Sequence, residues 1–383
     1  MYRFVVSTVG TSLLSNQIRP KDPKSWKGLL DKTANWTEER IKQHEPEVIN
    51  ILLDLKNRAE EKLNSGNILE IKEASAELNG IYSLYKDNID NGKLDTHWLI
   101  TTETYQGQKT AKIIKDFLHK QVNFIEIYTP DQLSTEDTAN FKQGIDDLID
   151  WLSKRYEESH KDGYSIYFNL VGGFKAIQGY MNTIGMFYAD KIIYVFEGES
   201  SKLITIPRLP ITLDYERVKK HQVTLALLNA GASFSPKQME KENIEEALIT
   251  EIDGKITISN WGQLIWGQCK EKFLASDELL SFSNIDYEDD FRKEYKKISS
   301  PQDKIKLQET IAKVSYQFEE SNGDTRILGK TVSYYPYQGA KDKEGVDHFY
   351  VGIHWRVSCK VVNKILRLRH YGTHDYVERK ETK

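Results

Sequence analysis

The stretch from Tyr164 to Phe196, YSIYFNLVGGFKAIQGYMNTIGMFYADKIIYVF, constrains the fold of this chain more than any other. A short apolar run, Ile166 to Leu170, carries Asn169 near its end and is broken by Gly172 and Gly173. Apolar residues then recur at helical spacing (Phe174, Ile177, Met181, Ile184), and Ile192 to Phe196 reads as a second buried strand. Strand, glycine turn, helix, strand is the unit of a parallel α/β sheet. A glycine pair there lets backbone approach a ligand closely, and the first turn of the helix offers unpaired N–H groups to an anion. Lys175 in that turn opposes the helix dipole, which points to an anion, although an ordinary βα connection with a tolerated lysine fits this segment alone equally well.

The N-terminus repeats the pattern. Tyr2 to Thr8 is an apolar strand running into Val9-Gly10-Thr11-Ser12, a second small, hydroxyl-rich turn. In a parallel sheet both turns lie at the carboxyl edge, where crevice ligands bind. VSTVGTSLLSN near residue 1 and NLVGGFK about 160 residues later resemble the two signature loops of the CARF domain, the Rossmann-like sensor of CRISPR systems. IYTPDQLSTEDTANFKQGIDDLIDWL is similar to the segment before the second loop. This resemblance implies a homodimer with one symmetric pocket for a cyclic oligoadenylate, cyclic tetra-adenylate being the expected ring. Its candidate ligand residues are Gly10, Thr11 and Ser12 from the first loop, and Asn169, Gly172, Gly173, Phe174 and Lys175 from the second. Thr102 and Gln106 extend the set.

At 383 residues the chain has room for two or three domains, and 39% apolar with 11% aromatic residues suffices for packed cores. The first residues read as a strand rather than a signal peptide, and no apolar run approaches a membrane span, so no membrane contact is expected. Cys269 and Cys359 fit neither a disulfide framework nor a metal site, so a reducing cytoplasm and no metal cofactor are expected. Net charge is only −4, but Arg326 to Lys383 holds twelve Lys and Arg against six Asp and Glu. A basic end on an acidic body suggests a nucleic-acid contact, or else a solvated face.

Strands alternate with helices to about Arg208, which predicts an α/β domain with a mainly parallel sheet over residues 1–210. Its strands are expected at Tyr2–Thr8, Thr96–Thr102, Val122–Tyr128, Ile166–Leu170, Ile192–Phe196 and Lys202–Ile206. Helices are expected at Ile68–Tyr85, Lys109–His119 and Asp137–Lys154. Residues 211–285 read as a connector with helices at Val218–Asn229, Pro236–Ile249 and Trp261–Leu274 and a small hairpin turning at Asp253-Gly254. That order resembles a winged helix, but Glu240, Glu242, Glu245, Glu246 and Glu251 make it acidic, which disfavours reading DNA.

Residues 286–383 form a third segment. Two helices, Tyr287–Ser299 and Asp303–Glu320, precede strands at Phe349–Ile353, Trp355–Val361 and Lys364–His370, a compact α+β unit with positive charge on its sheet. FRKEYKKISSPQDKIKLQETIAKV followed by HFYVGIHWRVSCKVVNKILRLRHYGTHDYVE resembles the RelE superfamily of toxin ribonucleases. Arg356, after Trp355, matches that family's arginine on a central strand. Arg369, His370, His374 and Tyr376 occupy its basic tail. The closely spaced lysines of some members have no clear counterpart here unless Lys341 and Lys343 serve, and the tail departs from the commoner Gly-Arg ending.

RNA is cleaved without metal when its 2′-OH is deprotonated and attacks the adjacent phosphate, which needs a base, cations on the phosphate and an acid for the leaving oxygen. Arginine forks onto phosphate oxygens and histidine changes protonation near neutral pH. Arg356 and Arg369 are therefore candidates for the phosphate, His370 or His374 for acid or base, and Tyr376 for stacking or proton transfer. The RelE resemblance implies mRNA cut on the ribosome, and together with the first resemblance a cyclic oligoadenylate-activated ribonuclease of CRISPR defence. Two alternatives remain at this point. Arg369 and His374 also fit the R-x4-H signature of HEPN ribonucleases, as Arg367 and His374 fit R-x6-H, in an all-helical domain cutting free RNA. A ligand-controlled DNA-binding regulator is the other.

Overall fold

A computed structural model describes residues 2–134, 137–196, 202–330, 332–336 and 345–382. The chain divides into two compact units, Met1–Ile211 and Thr212–Lys383.

The first unit is built on a six-stranded sheet of β1 (Arg3–Thr8), β2 (Thr96–Ile100), β3 (Phe124–Tyr128), β4 (Ser165–Asn169), β5 (Lys191–Val195) and β6 (Leu203–Pro207). The strand order is 3-2-1-4-5-6, parallel except for β6, which pairs antiparallel with β5. The central strands β1 and β4 are mostly buried, as strands covered on both faces must be. The chain reverses its direction of winding between β1 and β4, and the carboxyl ends of strands at such a switch point are where ligands of open α/β sheets generally bind. Between β1 and β2 an insertion of helices packs its own apolar stripes (Leu52, Leu55, Ala59, Leu78, Ile81) onto the sheet's helical layer. The single helix expected over Ile68–Tyr85 is two, Ile68–Ala74 and Ala76–Leu84. Ser75 breaks it by taking an extended backbone and capping the second through the Leu78 N–H. The helix expected from Lys109 begins at Tyr105, because the Thr104 side chain accepts from the Gly107 N–H and starts it a turn earlier. No helix among the described residues is long and apolar enough to cross a membrane.

The second unit contains β7 (Ile249–Ile252) and β8 (Lys255–Ile258) as a separate hairpin. Its main sheet is made of β9 (Ile285–Tyr287), β10 (Tyr334–Pro336), β11 (Val346–Val351), β12 (Trp355–Val362) and β13 (Ile365–Thr373). The order is 10-11-12-13-9, antiparallel except that β9 lies parallel to β13. The long helix Pro301–Glu320 covers one face through Leu307, Ile311, Val314 and Phe318, in one apolar cluster with Phe349, Val357, Cys359 and Leu368. Leu225, Trp266 and Phe273, from the segment expected as a connector, belong to that same cluster, so residues 212–285 and the C-terminal segment share one core. The helix expected over Pro236–Ile249 stops at Met239; a 3-10 turn follows, and Ile249 opens β7. Arg367 and Arg369 lie on β13 of this sheet, so the pattern R-x4-H does not sit in the all-helical domain that the HEPN alternative requires.

Candidate functional site

In the first unit the two glycine loops meet. A Cβ placed on Gly10 would lie 3.0 Å from the Gly173 nitrogen, and Gly173 holds φ at +110°. Both positions are therefore restricted to glycine by the approach of one loop to the other. Thr8 Oγ1 donates to the Gly172 carbonyl at 2.5 Å, tying the end of β1 to the second loop. Phe174 precedes the helix Lys175–Tyr188 without a side-chain cap, which leaves the first-turn N–H groups open, and Lys175 is exposed beside them.

The first loop is different, because a carboxylate already occupies it. Glu77, fully buried at the start of helix Ala76–Leu84, accepts from the Gly10 N–H at 2.8 Å. It also accepts from Ser12 Oγ at 3.2 Å and from Ser75 Oγ at 2.6 Å. Asn169, expected to read an adenine or a ribose, is buried, and its amide donates to Ser7 Oγ and to the Glu77 carbonyl, both at 3.1 Å. Gln106 is likewise interior, donating to the Leu30 carbonyl and to Thr33, while Thr102 shares a hydrogen bond with Thr104. The structure thus brings the loop of Gly10, Thr11 and Ser12 and the loop of Gly172, Gly173, Phe174 and Lys175 together beyond the ends of β1 and β4. Asn169, Thr102 and Gln106 are instead buried, with their polar groups taken up by interior partners.

In the second unit strand alternation sorts the side chains. The register pairs Tyr335 with His348, His348 with Ser358, and Ser358 with His370. It also pairs Tyr350 with Arg356 and Arg356 with Gly372, so all these residues share the face opposite the apolar core. Arg356 donates to the Tyr350 hydroxyl and lies 4.5 Å from that ring's centroid. Burial, reinforced by the nearby charges of Arg356 and His374, pushes His348 down to about 4. Its imidazole is therefore neutral at physiological pH.

A register shift after Ser358 leaves Arg369 as the extra residue between His370 and Leu368, and such a bulge re-aims a side chain. Arg369 turns to Glu381, at 3.0 Å, and lies 3.9 Å from Glu288. Glu381, on the final helix His374–Thr382, has a side chain only 2% exposed, which also accepts from Ser358 Oγ at 2.6 Å. Glu294 joins three other groups: His370 Nδ1 at 3.1 Å, the Tyr371 N–H at 2.7 Å and the Tyr376 hydroxyl at 2.7 Å. Burial would raise the Glu294 carboxyl, but these hydrogen bonds outweigh it and hold it below its ordinary value. The bond to Glu294, with burial, pushes Tyr376 up to about 12. His374 is exposed and sits 2.8 Å from Asp375 and 3.7 Å from Glu378.

All five residues expected for chemistry therefore lie at this face or at the helix that crosses it, but in unequal states. Arg356 keeps its cation over the sheet. Arg369 is held by carboxylates, and His370 is held by Glu294. His348, Tyr350, Glu294, Glu381 and Glu77 were not expected. His348 and Tyr350 were findable, because HFYV alternates toward the same face as Arg356. The glutamates lie on helices far away in sequence, where an acidic residue reads as a solvated face. Lys341 and Lys343 lie outside the described residues.

Residues 72–209 match the family model described as CRISPR-associated protein (Cas_APE2256). That span covers most of the first unit beyond its opening strand, and it links this chain to CRISPR-associated proteins. Among solved structures the chain is similar to YafQ from E. coli strain BL21(DE3), at 22% identity and a TM-score of 0.17, over 24% of this chain and 94% of that one. It is also similar to a chain of the E. coli DinJ–YafQ toxin–antitoxin complex, at 20% identity and a TM-score of 0.15, over 24% of this chain and 93% of that one.

Proposed function

We propose that this chain is a CRISPR-linked ribonuclease, with a nucleotide-sensing first unit controlling an RNA-cutting second unit. The observation that carries the reading is the gathering of Arg356, His348, Tyr350 and His370 on one sheet face opposite the core, with Glu294 bound to His370 and His374 opening the helix that packs there. Such a face holds a cation for the scissile phosphate, imidazoles for proton transfer and phenols to orient or stack. Arg356 is the phosphate ligand. The neutral His348 takes the 2′-OH proton, and His374, exposed at the start of the last helix, returns a proton to the leaving 5′ oxygen. Tyr350 orients the Arg356 guanidinium. Arg369 anchors the last helix through Glu381.

In the first unit the open first turn of helix Lys175–Tyr188, with Lys175, suits a phosphate of a cyclic oligoadenylate, tetra-adenylate foremost. Two copies would share one ring, and mRNA on the ribosome is the substrate this reading implies. The match of residues 72–209 to a CRISPR-associated family supports the CRISPR link.

The test is incubation of the purified protein with mRNA, with and without cyclic tetra-adenylate and ribosomes. Cutting only with both present, and lost in Arg356→Ala, is the expected result. No cutting under any condition, with ligand-dependent binding to duplex DNA, would replace this reading by that of a regulator.

A further inference from the structure

The second unit also carries a cavity of about 490 Å³ at the end of the sheet, where β12 begins and β13 ends. Its size is that of a small-molecule site. Trp355 lines it, stacked on Tyr371 with ring centroids 5.3 Å apart and planes 19° apart. Tyr371 is only 5% exposed while Trp355 is half-buried, so Trp355 is the more accessible ring of the pair. A flat, apolar ring held this way is a stacking platform for an unpaired base. The Tyr371 hydroxyl is buried without a hydrogen-bond partner among the described residues, an unmet polar group in the wall.

The polar groups around that platform have a pattern. Asp303 stands in the first turn of helix Pro301–Glu320, its backbone N–H capped by Ser300 Oγ, and it lines the cavity. Its carboxylate is only an acceptor, and no Lys or Arg among the described residues forms an ion pair with it. Lys297, exposed on the neighbouring wall, is only a donor. Guanine presents an acceptor, O6, next to two donors, N1–H and N2–H, along one edge. Adenine presents a donor beside an acceptor and leaves a carboxylate facing its N1 lone pair. The set of one donor and one two-oxygen acceptor therefore favours guanine.

Resting on the ribonuclease reading above, we propose that this cavity is a guanine-binding subsite for single-stranded RNA. Trp355 stacks on the base, Asp303 takes its N1–H and N2–H, and Lys297 donates to O6. The cavity adjoins the proposed cutting face: Trp355 precedes Arg356 on β12, and Gly372 and Tyr376 line the cavity while Gly372 pairs with Arg356. Trp355 and Arg356 point to opposite faces of β12, so a phosphate on Arg356 and its neighbouring base in the cavity meet around the end of the sheet, where Gly372 both pairs with Arg356 and lines the cavity.

The test is titration of the full chain with GMP, IMP and AMP at up to millimolar concentration, without RNA or ribosomes. Trp355 fluorescence is read as the difference between wild type and Trp355→Phe, so nucleotide bound in the first unit does not enter the signal. GMP should quench Trp355 at about tenfold lower concentration than AMP, the scale of one good base contact, with IMP between them. Asp303→Asn should remove that tenfold preference and leave the AMP curve unchanged, which a general loss of structure would not do. Identical curves for wild type and Trp355→Phe, equal quenching by GMP and AMP, or an unchanged GMP preference in Asp303→Asn would each overturn the proposal. GMP quenching with mRNA left intact would remove the ribonuclease reading and keep the subsite. Cut mRNA without quenching would do the reverse.

Discussion

Burial sets the charge state of two histidines, and this has a consequence for stability. His348 in the second unit and His97 in the first are both pushed from 6.5 down to about 4, chiefly by desolvation. The unfolded chain therefore binds protons below pH 6.5 that the folded chain refuses until about pH 4. Their contribution is fully present above pH 6.5 and is lost as pH falls to about 4. For the fully buried His97 it amounts to about 3 kcal/mol. Urea unfolding at stepped pH should show stability falling across this window, and His348→Gln or His97→Gln should each flatten the fall. An unchanged slope in both variants would contradict the buried, neutral assignment. Arg356 is tested at the same scale: Arg356→Ala should lower RNA cleavage by about 10²–10³-fold, mostly in kcat. Arg356→Lys should recover little, because a point charge does not fork onto two phosphate oxygens.

At the scale of elements, the crossing of two loops fixes what the crevice tolerates. A Cβ on Gly173 would need φ near +110° and would lie 2.8 Å from Thr8 Cβ, so Gly173→Ala should destabilise the first unit by about 1–3 kcal/mol. Thermal unfolding checks it, and a wild-type melting curve would mean that the loops separate easily. Much of this geometry was legible in the sequence. β1, β4, β5 and β12 are short, apolar and bounded by turn residues, and the expected spans lie within a residue or so of those observed. The expectation over Pro236–Ile249 failed because KENIEEA has helical propensity, while Leu248 is drawn into the core and Ile249 pairs across the hairpin. β9 was not expected, and its last residue, Tyr287, was read as the start of a helix, because three residues carry no periodicity; only pairing with β13, some eighty positions away, makes them a strand. The buried carboxylates were illegible for the same reason. Glu77 at the Gly10 amide, Glu294 at the Tyr371 amide and Glu381 at Ser358 join partners 67, 77 and 23 positions apart. The distance in sequence hides the partner that makes each acid structural.

The whole molecule is two cores on one chain, and this shapes how a signal and a ligand act on it. Leu55 and Phe318 are each essentially fully buried, one in the first unit and one in the second. Chains with separate cores depart from all-or-none unfolding, so calorimetry should resolve two transitions. Leu55→Ala should lower one by about 2–5 kcal/mol and Phe318→Ala should lower the other by about 3–5 kcal/mol, which assigns each to its unit. A ligand of the Gly10–Lys175 crevice binds only the folded first unit. At a hundred times its Kd it should therefore stabilise the Leu55-sensitive transition by about 2.7 kcal/mol. What happens to the other transition carries the mechanism. A ligand controls a distant site only through different affinities for two states of the protein. If cyclic tetra-adenylate switches the second unit, the Phe318-sensitive transition must move as well, or the two must merge. A ligand that raises the first transition and leaves the second where it was would bind without controlling. The reading of this chain as a sensor joined to the nuclease it commands would then fail at that joint.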